Sequence, residues 1–110
     1  MDKVSKKVFC FDIDGTLCTN TDGDYGDARP IAERIETLGR LCDQGHIIKL
    51  FTARGTTTGK DWSSVTERQM SDWGVKYHEL IFGKPFFDIL VDDKAHHSDV
   101  FFDDAFDWNW

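Results

Sequence analysis

Short continuous apolar runs alternate along the chain with segments whose apolar positions recur every three or four residues. The runs at residues 8–12, 46–52 and 88–92, and a weaker one at 77–82, predict four short buried strands. Helical spacing predicts one helix that begins near Pro30 and stops at Gly45, and a second over about residues 61–73 that Gly74 closes. The order strand, helix, strand, helix, strand predicts an α/β fold with a mainly parallel sheet of about four strands.

The link between the last two predicted strands is unusually short. Only residues 83–87, "GKPFF", separate them. A crossover between parallel neighbours usually needs about a dozen residues or more. Either the segment at 77–82 is not an ordinary parallel neighbour of the fourth strand, or the fourth strand pairs in an unusual way.

Length and composition indicate one folded domain over residues 1–110. A chain of 12.7 kDa that is 40% hydrophobic can build a single core. Its net charge of -7 disfavours non-specific binding to nucleic acid or to an anionic membrane. The sequence shows no signal-peptide pattern, no apolar run of membrane-spanning length and no paired cysteine spacing. We therefore expect a cytoplasmic protein that does not contact a membrane.

The ends of the predicted strands carry acids, a hydroxyl and a cation. These residues are Asp12, Asp14, Thr52, Lys84, Asp92 and Asp93. Because the carboxyl ends of parallel strands meet at one edge of a sheet, we expect these side chains to share a crevice. Several carboxylates in one crevice need a cation, and an oxygen-rich set suits Mg2+. A metal, a carboxylate nucleophile and an anion pocket together indicate phosphoryl transfer.

Four motifs then carry a family resemblance. In this order, "FDIDGTL", "KLFTARG", Lys84 and "LVDD" resemble the signature motifs of the haloacid dehalogenase-like (HAD) superfamily, specifically its magnesium-dependent phosphatases. The match covers roughly residues 8–94. The resemblance implies a three-layer, Rossmann-like core. It also implies that Asp12 is a nucleophile that forms an aspartyl-phosphate, and that Asp14 gives and takes the proton.

The resemblance assigns roles to the remaining motif residues. Thr52 would hydrogen-bond a phosphoryl oxygen, and Lys84 would steady both the nucleophile and the phosphate charge. The expected phosphate-binding residues are Gly15, Thr16, Ala53 and Arg54. The expected Mg2+ ligands are Asp12, Asp14, Asp92 and Asp93. An acid at position 14 favours a hydrolase or mutase acting on a phosphate ester over an ATPase of the same superfamily.

The chain has no room for the cap domain that closes many members of this superfamily. Only 35 residues separate Thr16 from Thr52, and 31 separate Thr52 from Lys84. A capless site should take a large substrate or borrow a lid from a neighbouring subunit of a homo-oligomer. The pattern is similar to that of short phosphatases of capsule or surface-sugar biosynthesis, and also to the phosphatase part of polynucleotide end-healing enzymes. The acidic charge favours a sugar phosphate over nucleic acid.

Two hypotheses of another class use the same residues. A calcium-binding loop that starts at Asp12 would need Gly at its sixth position, where this chain has Leu17. A receiver-like module would accept phosphate on Asp12 without hydrolysing esters, but the Asp-Gly-Thr turn argues against it. His96 and His97 are either contacts for a leaving group or solvated surface residues, and we expect the aromatic tail at residues 101–110 to pack on the core.

Overall fold

The computed structural model describes residues 6–106, in which strands and helices alternate. The elements are β1 (Val8–Phe11), a 3-10 helix (Tyr25–Asp27), α1 (Ala32–Asp43), β2 (Ile47–Thr52), α2 (Ser63–Asp72), β3 (Glu79–Phe82) and α3 (Ser98–Phe101). Three predicted strands and both predicted helices are thus confirmed, with boundaries that differ by at most two residues. In this part of the chain, no helix has the length and apolar character needed to cross a bilayer.

The three strands form a parallel sheet in the order β1-β2-β3. Phe11 pairs with Leu50, and Leu50 pairs with Leu80, so the strands end close together. Each crossover moves one strand further in the same direction, and right-handed crossovers of this kind place α1 and α2 on the same face of the sheet. The carboxyl ends of the strands share one edge, and Asp12 and Thr52 lie there.

The hydrophobic core lies between that face of the sheet and the helices. Alternate residues of β2 are buried, and Ile48 and Leu50 belong to the same cluster as buried side chains of all three helices. Phe101 of α3 reaches β1, because its ring centroid lies 6.2 Å from that of Phe9 and 5.6 Å from that of Phe11. The predicted packing of the tail is confirmed as far as residue 106, and residues 107–110 lie outside the described residues.

The predicted fourth strand at residues 88–92 is wrong for the single chain. Residues 85–95 contain no helix or strand, and every one of them is exposed. Within residues 6–106 the sheet therefore has three strands rather than about four, and the three-layer core stays a prediction. The physical reason is that an apolar run becomes a strand only where its backbone finds an edge, and residues 83–87 are too short for a parallel crossover.

Candidate active site

Asp12 follows the last residue of β1, and its side chain is only 32% exposed. Lys84 Nζ lies 3.3 Å from Asp12 Oδ1, and the hydroxyl of Thr16 donates to Asp12 Oδ2 at 3.3 Å. Burial raises the pKa of Asp12 above its usual value, while Lys84 and the backbone N–H of Ile13 oppose that rise. The site thus contains a partly desolvated carboxylate with a cation beside it.

A tight turn after Asp12 brings Thr16 back to it. Gly15 has a φ of +81°, in the left-handed region that glycine adopts at little cost. The backbone N–H groups of Thr16 and Leu17 both donate to the carbonyl oxygen of Ile13, at 3.1 and 2.8 Å. This turn explains the Asp-Gly-Thr sequence, because it places a hydroxyl against the carboxylate four residues earlier.

Asp14 is held by a buried arginine. Arg54 Nε donates to Asp14 Oδ2 and Arg54 Nη2 donates to Asp14 Oδ1, both at 2.9 Å, and the arginine side chain is 0% exposed. Arg54 Nη1 donates to Thr66 Oγ1 at 3.0 Å and to Gln69 Oε1. The guanidinium carbon also lies 4.8 Å from the ring centroid of Tyr25. Arg54 therefore fixes the position of Asp14 from several sides.

The end of β2 positions Lys84. The carbonyl oxygen of Thr52 accepts from the backbone N–H of Lys84 at 3.1 Å, and Thr56 Oγ1 donates to the Lys84 carbonyl oxygen at 2.8 Å. The hydroxyl of Thr52 is itself buried and accepts from the backbone N–H of Arg54 at 3.1 Å. These bonds explain how a lysine that follows β3 reaches a carboxylate that follows β1.

The structure brings most, but not all, of the predicted site residues to this edge of the sheet. Those around the edge are Asp12, Asp14, Gly15, Thr16, Thr52, Ala53, Arg54 and Lys84. Asp92 and Asp93 instead lie on the exposed residues 85–95, where Asp92 Oδ1 accepts from the backbone N–H of Lys94 at 2.7 Å. Among the residues that the structure describes, no three metal-ligating side chains converge. The described part of one chain therefore keeps Asp92 and Asp93 on an exposed segment, and the Mg2+ site stays a prediction.

Sequence reasoning missed the residues that surround Arg54. Thr66 and Gln69 lie three residues apart on α2 and both contact Arg54, and Gln69 Nε2 also donates to the carbonyl oxygen of Tyr25 at 2.6 Å. Polar residues at helical spacing on a buried face indicate a buried polar partner, and that signal could have found this contact.

The two histidines occupy structural positions. His97 precedes α3, and its Nδ1 accepts from the backbone N–H of Asp99 at 3.1 Å, so it caps the helix. The ring of His96 packs edge-on against Phe106, with centroids 5.1 Å apart. These contacts account for both residues without a leaving group.

A cleft of about 310 Å³ opens beside Arg54. Its lining includes Lys60, Trp62 and Phe82, and Lys60 Nζ lies 4.3 Å from the ring centroid of Trp62. The cleft therefore places a cation and an aromatic ring beside Arg54, the residue that holds Asp14.

Comparisons with known proteins show a shared fold. No family model matches the chain, and no curated protein matches it. A Vibrio cholerae protein whose crystal structure was determined as an MCSG target has a TM-score of 0.79 and 27% identity over 89% of this chain and 88% of that chain. A structure of a Pnkp1/Rnl/Hen1 complex has a TM-score of 0.57 and 24% identity, over 74% of this chain and 29% of that chain.

A second structure, described as the Pnkp1/Rnl/Hen1 RNA repair complex, has a TM-score of 0.57 and 19% identity. It covers 93% of this chain and 32% of that chain. This chain thus spans about a third of those longer chains, and the likeness to them is one of fold. The parallel α/β arrangement described above is the feature that this chain shares with all three.

Proposed function

We propose that this protein is a phosphatase that hydrolyses phosphate monoesters, with Asp12 as the nucleophile. The observation that carries the proposal is the pairing of a half-buried Asp12 with Lys84 at 3.3 Å, at the carboxyl edge of a parallel sheet. A carboxylate is a competent nucleophile toward phosphorus when a nearby cation offsets the charge of the phosphoryl group. Asp14, two residues further on, is the nearest candidate for proton transfer.

The reaction would proceed in two balanced steps. In the first, a carboxylate oxygen of Asp12 bonds to phosphorus and the bond from phosphorus to the leaving oxygen breaks. Asp14, which must take up a proton from solvent before this step, gives that proton to the leaving oxygen. In the second, water attacks the aspartyl-phosphate, Asp14 takes a proton from the water, and the bond between Asp12 and phosphorus breaks. Inorganic phosphate leaves and both carboxyl groups return to their starting states.

Proton transfer requires a change in the contacts of Asp14. Both of its carboxylate oxygens accept hydrogen bonds from Arg54. One oxygen must therefore turn toward the leaving group while the other keeps its bond to the guanidinium. Arg54 is in this sense a positioning residue, which acts on the reaction through Asp14.

Mg2+ remains an expected cofactor of the proposed activity. In one chain, Asp12 and Asp14 lie at the carboxyl edge of the sheet, whereas Asp92 and Asp93 lie on the exposed residues 85–95. The resemblance assigns the metal contact of Asp14 to its backbone carbonyl oxygen, so the bonds from Arg54 to its carboxylate do not block that contact. The donors that one chain supplies do not fit a complete Mg2+ shell. The two reaction steps above are accordingly written for this chain's own residues.

Two substrate classes are proposed, each supported by a different observation. The net charge of -7 supports a small sugar phosphate over a polyanion. The fold likeness to chains of an RNA repair complex supports a phosphorylated polynucleotide end. The pair of Lys60 and Trp62 beside the cleft also suits a nucleotide, because bases stack on aromatic rings and phosphates attract cations.

A substrate screen tests the proposal. Purified protein would be incubated with p-nitrophenyl phosphate, a set of sugar phosphates and a 3'-phosphorylated oligonucleotide, with and without Mg2+, and released phosphate would be measured. We expect turnover that Asp12→Asn abolishes, because an amide cannot form the acyl-phosphate. Asp72→Asn, an exposed change on α2, is the matched control and should keep full activity. Activity that survives Asp12→Asn would refute the nucleophile assignment.

A further inference from the structure

Residues 85–95, here called the arm, expose an apolar run to solvent. Ile89 is 82% exposed, Leu90 53% and Val91 92%. The flanking chain is anchored on both sides, by the bond from the Lys84 N–H to Thr52 at 3.1 Å and by the ion pair of Asp99 with Arg34 at 2.8 Å. Three consecutive exposed β-branched or leucine residues held out from a folded body indicate a contact surface.

The same molecule carries an unused strand edge. β1 pairs with β2 on one side, and within residues 6–106 no strand pairs with its other side. The backbone N–H and carbonyl oxygen of Lys7 bond to residues on the β2 side. Because successive residues of a strand direct their backbone groups to opposite sides, the N–H and C=O groups of Val8 and Cys10 point to the free side. Val8 is 63% exposed and Cys10 is also exposed. A free edge of this kind is a template for another strand.

The arm cannot reach this edge in its own chain while Lys84 keeps its contacts. Leu50 pairs with Phe11, so Thr52, two residues further along β2, lies about five residues beyond the level of Val8. The backbone N–H of Lys84 bonds to Thr52 and therefore lies at that same level. Five strand residues span about 16 Å. The four chain steps from Lys84 to Asp88 reach at most about 14 Å and would also have to cross to the outer side of β1.

We propose that the arm of a second copy of this chain pairs in parallel with the free edge of β1 and places its Asp92 beside Asp12, and that the two copies do this reciprocally. The proposed register pairs Asp88 with Val8 and Asp92 with Asp12. Side chains alternate along a strand, so Ile89 and Val91 then fall beside Phe9 and Phe11, on the face of the sheet that carries the core. Ile89 and Val91 are thereby buried, and Asp92 reaches the carboxyl edge.

A reciprocal exchange closes on itself, as a two-fold dimer requires. It also explains why Asp92 lies on an exposed segment of one chain, since Asp92 comes to the site from the second copy. The inference about the shared site rests on the proposed phosphatase function. The inference about the dimer rests only on the arm and the edge, so the two can fail separately.

The mass of the protein in solution tests the dimer without any assay of activity. Light scattering after size exclusion should give about twice the chain mass of 12.7 kDa. Val91→Asp should shift the protein toward the monomer by at least about tenfold in dissociation constant, because it buries a charge against Phe11. Val100→Asp is the matched control, since Val100 is 55% exposed on α3, outside the arm, and should leave the dimer intact. A wild-type monomer, or equal effects of the two substitutions, would overturn the proposal.

Complementation tests whether the second copy completes the site. Asp12→Asn and Asp92→Asn chains with different affinity tags would be co-expressed, and the heterodimer would be purified through both tags. One of its two sites then combines an intact Asp12 with an intact Asp92, so we expect about half of the wild-type turnover. If the arm served its own chain, neither site would be complete and the heterodimer would be inactive, which would overturn the shared site.

The outcomes separate the two proposals. A dimer that Val91→Asp dissociates, in a protein without phosphatase activity, would support the arm exchange and refute the proposed function. A phosphatase that remains monomeric would support the function and refute the exchange.

Discussion

Replacing Arg54 by Met should destabilise the protein by about 3 kcal/mol. Met keeps much of the aliphatic volume but removes the charge that Asp14 needs. The arginine side chain is 0% exposed and the aspartate side chain 16% exposed, so the pair is largely withdrawn from water. Removing one partner of a buried ion pair costs about 3–5 kcal/mol, and the residual solvation of Asp14 places this case near the lower value.

The measurement is the free energy of unfolding in urea, followed by tryptophan fluorescence at a fixed chain concentration. Lys76→Met is the matched control. Lys76 pairs with Asp43 at 3.0 Å, but these side chains are 54% and 66% exposed, so the loss of this pair should cost far less than the loss of Arg54. Added salt should reduce the control's small cost and leave the cost of Arg54→Met nearly unchanged, because salt screens exposed pairs far more than buried ones.

A double-mutant cycle identifies the source of the effect. Asp14→Asn removes the charge that Arg54 neutralises, so the cost of Arg54→Met should fall by at least about 1 kcal/mol in that background. Arg54→Met should also lower kcat, because Asp14 loses its fixed position. A cost for Arg54→Met no larger than that for Lys76→Met, or strict additivity in the cycle, would refute the buried ion pair.

Two further predictions concern Asp12 and the loop after β2. Because burial raises the pKa of Asp12 above 3.8, turnover should fall on acidification at a higher pH than an ordinary aspartate would give. Because the pKa of Asp12 is higher in the folded than in the unfolded protein, protonation of Asp12 stabilises the fold. This contribution is complete at pH values below the unfolded pKa and is lost as the pH rises through the folded pKa. Asp12→Asn should therefore gain stability relative to wild type as pH rises through that window, and a pH-independent difference would contradict this. Gly55→Ala should cost about 3 kcal/mol, because φ is +82° and the new Cβ would lie 2.2 Å from a backbone carbonyl oxygen. Gly59→Ala, at φ +75° in open space, should cost about 1 kcal/mol in the same thermal unfolding assay, and equal costs would contradict the clash.

The local part of the site was predictable because it follows from local rules. A buried strand that ends in Asp12, followed by a glycine turn, positions Thr16 through bonds that span only a few residues. The partner of Asp14 was not predictable in this way. Arg54 lies 40 residues away in the sequence, and only the packing of α2 against the β2 end shows that its guanidinium turns to Asp14.

The sequence by itself determined three strands, the two longer helices and their order, because hydrophobic periodicity and glycine stops act within about ten residues. Only the tertiary structure decided whether the run at residues 88–92 is a strand, because a strand exists through the partner that accepts its backbone hydrogen bonds. In the single chain that partner is out of reach of the arm. The carboxylates differ in the same way. Local sequence places Asp12 and Asp14 together, whereas the position of Asp92 depends on which residues the arm contacts.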